Sequence, residues 1–319
     1  RSTLFPYTTL FRSWLTEEPE AVPTFRAAAL EWYKKNSHRW TEEYARINLR
    51  RLEMHVFPSI GDDRIADIKT KDILRIVHRI EESKTIDTSR RVVQLCSRVF
   101  RYSVICEYCE SDPTYALRGA LPPVEPKHLA SLTDPKDVAL LLRNIDAYPQ
   151  PITRAAMQFS ALTFLRPGEV RHAEWTEIDR EKAEMRISAE KMKMRRPHII
   201  PLAKQTLAVL DRVRTITGHG RYVFPNARAL QKGDRPMSEN AVLVALRAMG
   251  YTKDQMTAHG FRSMASTLLN ENGFPPDHIE RQLAHMEGNA VRAAYNYAEY
   301  LPERRRMMQW WADYLEELR

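Results

Sequence analysis

Pro122, Pro123 and Pro126 fall within the six residues 121–126. Each fixes its φ angle and lacks an amide donor, so no helix or inner strand can run through this stretch. It forms a semi-extended spacer and cuts the 319 residues into two domains, the division a chain of this length favours anyway. The expected boundaries are 23–120 for the first domain, 121–126 for the linker and 127–319 for the second. Thr3 to Ser13 match, residue for residue, the translation of a widely used DNA-sequencing adapter. Residues 1–13 are therefore set aside as foreign to the fold and 14–22 as residual linker, with the natural N-terminus expected further upstream.

The first domain reads as helical. Phe25 to Lys35 is amphipathic. Thr41 caps a second helix, with Glu42 and Glu43 in its positive first turn and with Tyr44, Ile47 and Leu52 expected to face the core. Thr70 opens a third, with Ile73, Ile76, Val77 and Ile80 on one side. A fourth is expected over 88–106. Val92, Leu95 and Val99 follow one helical stripe, while Arg91, Gln94, Arg98 and Arg101 follow another. A guanidinium stripe of this kind can lie along phosphates, which makes Arg91, Arg98 and Arg101 candidate DNA-binding residues.

In the second domain a mostly apolar helix, Ile152 to Leu165, stops at Arg166. Pro167 and Gly168 force a turn, and a new helix is expected through Val170, Ala173 and Trp175. Two short strands, 184–188 and 198–202, flank a basic hairpin tip that carries Lys191, Lys193, Arg195 and Arg196. Helices follow, and the tail spaces Met307, Trp310 or Trp311, Tyr314 and Leu318 as an apolar face that must be buried somewhere. The fold class is thus mainly α with a small β-sheet: a helical domain followed by a mixed α+β one.

Lys and Arg exceed Asp and Glu by 8, a balance compatible with a polyanionic partner. The three cysteines, an odd and small number, argue against a disulfide framework and fit a reducing cytoplasm. Cys106 and Cys109 have zinc-knuckle spacing, but no second pair completes four ligands, so they read as two thiols on a helix face. No run approaches the roughly 18 apolar residues of a membrane span, so no membrane partner is expected.

The chemistry lies in a set of scattered polar residues. Breaking a phosphodiester needs a nucleophile, neutralisation of the non-bridging oxygens and protonation of the leaving oxygen. Arg166 and Arg262 suit the second task, because guanidinium binds phosphate through paired donors. Tyr295 suits the first and a hairpin lysine the third. His259 can accept the tyrosine proton, and His285 can donate to a phosphate oxygen. No dense carboxylate cluster is present to hold magnesium, so a metal-free mechanism without cofactor is expected. Each motif alone is ordinary: an arginine before Pro-Gly is commonly a turn residue, and HxxR commonly a solvated helix start. Their occurrence together and in order is specific.

Arg166 before Pro167-Gly168-Glu169, the hairpin lysine, His259-x-x-Arg262, Leu283-Ala284-His285 and Tyr295 together resemble the tyrosine recombinases, or phage integrases, in their prophage and genomic-island branch. The resemblance covers about residues 22–319. It implies site-specific DNA strand exchange through a covalent 3′-phosphotyrosine, on double-stranded attachment sites, by a homotetramer, with DNA-bending accessory proteins among the partners. It also implies roles for single residues. Arg166 and Arg262 hold the scissile phosphate, Lys193 is the general acid with Lys191 as runner-up, His259 is base-like, His285 is the second histidine, Tyr295 attacks, and Glu169 orients Arg166. Two departures stand out. Tyr297 occupies a place where this branch commonly has arginine, which with Tyr300 gives three tyrosines in six residues. The small N-terminal domain that binds arm-type sites in the family is also missing. The competing expectations are a type IB-like topoisomerase and a DNA-binding excision factor that does not cut.

Overall fold

The computed structural model of the protein describes residues 22–83, 86–117, 119, 130–192, 195–226, 235–285 and 299–319. Two compact units divide between Pro126 and Lys127.

The first unit contains α1 (Phe25–Ser37), α2 (Glu42–Arg51), α3 (Phe57–Ile60), α4 (Thr70–Glu82) and α5 (Ile86–Ile105), with a π turn, Leu52–Val56, joining α2 to α3. Thr24 and Thr41 cap α1 and α2 by accepting from the amides of Ala27 and Tyr44, both at 3.3 Å. Phe25, Val56, Ile76 and Val99 belong to one core, in which the Phe25 ring lies 5.4 Å from that of Phe100. α5 separates its two stripes as expected: Val92, Leu95 and Val99 are buried, and Arg91, Gln94, Arg98 and Arg101 are exposed.

The expected core face of α2 is met at Leu52, just past its end, and missed at Tyr44. Ala45 and Asn48 are buried, Ile47 is half-buried, and Tyr44 is exposed. At 100° per residue Ala45 lies about 20° and Asn48 about 40° from buried Leu52 around the helix, whereas Tyr44 lies about 80° away, at the edge of the buried face. There its ring meets Trp40 edge-on, and its hydroxyl accepts from Arg98 Nη1 at 3.0 Å. Cys106 and Cys109 lie just beyond α5 and not on its face.

The second unit is built on α7 (Pro151–Thr163), whose residues from Ala155 to Thr163 are all buried. Around it pack α6 (Pro135–Asp146), α9 (Lys204–Thr217), α10 (Ala241–Ala248), α11 (Gly260–Glu271) and α13 (Leu301–Glu317). α8 (Pro167–Arg171) is a single short turn of helix. The helix expected to continue through Ala173 and Trp175 stops at Arg171, because the chain straightens to bridge Glu174 to Tyr222. An antiparallel sheet in the order β1 (Ile178–Asp179), β2 (Glu184–Ile187), β3 (His198–Pro201) pairs Met185 with Ile200 and Ile187 with His198. α12 (Pro276–Gln282) follows α11.

α13 packs within its own unit. Met307, Met308, Trp311, Ala312 and Leu315 are buried, and Trp311 Nε1 donates to the Ala161 carbonyl at 2.9 Å. Gly260 opens α11 because only glycine fits: a Cβ there would lie 2.6 Å from the Ala130 carbonyl oxygen and 2.8 Å from Met256 Sδ. No described helix is long and apolar enough to cross a membrane.

Candidate active site

Three chain segments converge near the end of α7. Arg166 sits at the N-cap of α8, its backbone held extended (ψ 143°) by the proline that follows. Glu169, three residues on, accepts from the Arg166 amide at 2.9 Å and from Nη1 at 2.8 Å. One carboxylate, only 7% exposed, therefore caps the helix and aims the guanidinium. Arg166 Nη2 donates to the Ala284 carbonyl at 3.1 Å.

Arg262, in the first turn of α11, is 3% exposed. Its Nη1 donates to the Phe164 carbonyl and its Nη2 to the Leu283 carbonyl, both at 2.8 Å. These acceptors lie at the C-terminal ends of α7 and α12, where unpaired carbonyls carry the negative end of the helix dipole. Phe164 and Ala284 take left-handed backbone angles, with φ of 42° and 50°. Two helix ends thus hold the two arginines from behind. Burial and the neighbouring Arg166 charge pull the Arg262 pKa down to about 10, while Glu169 and Glu280 oppose the shift. Arg262 stays cationic at neutral pH beside a second cation, a place that favours an anion.

His285 Nε2 lies 3.1 Å from Arg262 Nη2, and its Nδ1 lies 2.7 Å from Glu280 Oε2. Guanidinium can only donate, so Nε2 accepts and the proton sits on Nδ1, donating to Glu280. The nitrogen nearest the arginines is thus an acceptor toward Arg262. Burial, then the charges of Arg262 and Arg166, lower the pKa of half-buried His259. Its ring is neutral near pH 7 and able to take a proton.

The hairpin divides. Lys191 turns inward into a cleft of about 260 Å³, where its ammonium donates to Glu174 Oε1 at 2.5 Å and to Glu177 Oε1 at 2.9 Å. Burial alone would lower its pKa, but the two carboxylates outweigh burial and raise it. An ammonium committed in this way is neither a ready acid nor a free phosphate contact. Arg195 and Arg196 are exposed. Lys193 and Tyr295 lie outside the described residues. Tyr300 stands at the N-cap of α13, its ring 4.9 Å from that of His278. In the first unit, Arg91 pairs with Asp87 at 2.7 Å, and Arg101 Nε donates to the Ser97 carbonyl at 3.3 Å. Among the described residues, no group of three or more His, Cys, Asp or Glu side chains is placed to hold a metal ion.

Sequence reasoning missed Glu280 and the three carbonyls of Phe164, Leu283 and Ala284. It also missed His198, which is 2% exposed and donates from Nε2 to the Gln282 carbonyl at 3.1 Å. Burial, and next the charge of Arg304, pull the His198 pKa from 6.5 to about 3. Above pH 6.5 the ring is neutral in both the folded and the unfolded chain. As pH falls toward 3, the unfolded chain takes a proton that the folded chain refuses. Stability then falls by up to about 1.4 kcal/mol per pH unit. The urea midpoint should therefore drop between about pH 7 and about pH 4, and His198→Gln, which keeps a donor but does not titrate, should flatten the drop by one proton's worth. Parallel drops in both chains would show that His198 is not the group responsible.

Residues 25–120 match the phage integrase central domain, and residues 132–301 match the phage integrase family. The chain is 40% identical over 314 residues to the integrase of Enterobacteria phage P4, covering 94% of this chain and 71% of that one. It is 37% identical over 315 residues to the putative protein IntB of Escherichia coli K12, covering 94% and 78%. Among solved structures, a lambda integrase dimer bound to a COC′ core site superposes with a TM-score of 0.67 at 19% identity, over 83% of this chain and 96% of that one. A lambda integrase tetramer bound to a Holliday junction gives 0.67 at 18% identity, over 84% and 79%.

Proposed function

The chain belongs to the phage integrase family, the tyrosine-type site-specific DNA recombinases, and from that premise we propose that it cuts and rejoins double-stranded DNA through a covalent phosphotyrosine. The Tyr295 phenol oxygen attacks the scissile phosphorus, and its proton passes to neutral His259. The bond from phosphorus to the 5′ oxygen breaks, and Lys193 protonates that oxygen as it leaves. The DNA 3′ end stays joined to Tyr295 until a 5′ hydroxyl from the partner strand attacks in reverse. Arg166 and Arg262 hold the non-bridging oxygens throughout. An arriving phosphate oxygen competes for Arg262 Nη2, and His285 donates to it from Nε2. Arg91, Arg98 and Arg101 contact flanking phosphates, with Arg195 and Arg196 adding to them from the hairpin.

The observation that carries this reading is the pair of guanidiniums, fixed from behind by helix-end carbonyls, with Glu169 on Arg166 and the His285 ring against Arg262. Lambda integrase has been solved as a tetramer on a Holliday junction, and assembly of this chain as a homotetramer on paired attachment sites follows the same plan. DNA-bending accessory proteins are expected partners.

A nicked suicide duplex carrying the attachment core tests the chemistry. The chain should be trapped on DNA as an adduct that survives denaturation, and a substrate with two matched sites should yield crossed products. Relaxed DNA without crossed products would mark a topoisomerase. Binding without an adduct would mark a factor that does not cut.

A further inference from the structure

Arg304, in the first turn of α13, has no exposed surface. The chemistry above does not use it. A buried cation costs stability that a methionine of similar volume would not, so its partners need a reason. Nε and Nη2 both donate to Gln282 Oε1, at 3.1 and 2.7 Å. Nη2 also donates to the Ile199 carbonyl at 2.5 Å, and Nη1 to the Glu299 carbonyl at 3.3 Å. Burial pulls its pKa down to about 9, which leaves it charged at neutral pH.

The three acceptors belong to three segments, and each leads directly to a group of the reaction. Ile199 lies in β3, the strand that returns from the hairpin tip bearing Lys193. Gln282 ends α12 and immediately precedes Leu283 and Ala284, whose carbonyls hold Arg262 and Arg166. Glu299 closes the stretch that leaves His285 and passes through Tyr295, and its side chain also pairs with Arg281 of α12. The next residue of α13 fastens the same helix to the sheet: Arg305 pairs with Glu184 of β2 and donates to the Lys182 carbonyl at 2.8 Å.

Resting on the reading of Tyr295 as nucleophile, we infer that Arg304 is a positioning residue for strand cleavage: one guanidinium ties the strand behind the acid, the carbonyl rim behind the arginine pair and the exit of the tyrosine stretch to a single point. Lysine, with a lone ammonium, cannot span these acceptors.

The test compares the full chain with Arg304→Met and Arg304→Lys on the nicked suicide duplex. Single-turnover adduct formation is measured at saturating protein, and duplex affinity and urea melting are measured separately. Arg304→Met should fold and bind duplex as the unaltered chain does but form adduct about 100-fold more slowly, the order of loss expected when reacting groups are misplaced by about an ångström. Arg304→Lys should not restore the rate. Unaltered cleavage in Arg304→Met, or a loss that only tracks weaker binding or a smaller folded fraction, overturns the role. If Arg304→Met does not fold, Gln282→Met removes two of the four donated hydrogen bonds, and unaltered cleavage there overturns it equally. An unaltered chain that forms no adduct defeats the reading beneath, and the inference falls with it.

Discussion

Tyr295→Phe will form no covalent adduct with a nicked suicide duplex, yet will bind the intact duplex nearly as tightly as the unaltered chain. The phenol oxygen is the atom that bonds to phosphorus, and its removal leaves nothing to attack. Affinity should survive because duplex binding rests mainly on cationic contacts to phosphates, to which one hydroxyl adds little. Two other tyrosines make the experiment informative. Tyr297 follows two residues later, and Tyr300 is fixed at the head of α13 against His278. An adduct that persists in Tyr295→Phe and maps to either of the others would remove Tyr295 from the mechanism and leave the arginine pair in place.

Arg262→Ala should slow adduct formation by about 10²–10³-fold, the range seen when a preorganised donor to transition-state charge is removed. It should also cost about 2–4 kcal/mol of folding stability, because the Phe164 and Leu283 carbonyls lose a charged donor in a buried setting. The two losses separate by measurement: a urea melt gives the second, and single-turnover cleavage under conditions where the variant is fully folded gives the first. Arg262→Lys should recover little of either, since one ammonium cannot reach two helix ends and a phosphate together. A folded Arg262→Ala chain that cleaves at the normal rate would refute the phosphate clamp.

What could be read from the sequence, and what could not, follows from the range of the interactions. The α5 stripes were legible because helical period alone assigns Val92 and Arg91 to opposite sides. Glu169 was named as the partner of Arg166 only through the family resemblance; the reason it reaches is local, a carboxylate at the third helical position turning back to the cap. Tyr44 was misassigned because an aromatic residue was preferred over the small Ala45 and the polar Asn48, although these two lie nearer to buried Leu52 around the helix. The inward turn of Lys191 was not legible, since Glu174 and Glu177 lie 17 and 14 residues earlier, in a short 3-10 turn before β1 that carries no extended period. Arg304 is one of three consecutive arginines in the sequence, and only tertiary packing, which buries it and leaves Arg306 exposed, singles it out. The histidine tautomer at His285 depends on which neighbour can only donate, and that requires coordinates.

The arginine pair leans on peptide oxygens at positions 164, 283 and 284. Alanine scanning across these positions would pass over the clamp, because truncating a side chain leaves its peptide group where it was. The substitutions that reach it are those that refuse the bend: a valine or isoleucine at 164 or 284, where φ is 42° and 50°, would swing the oxygen away and disarm an arginine two segments distant.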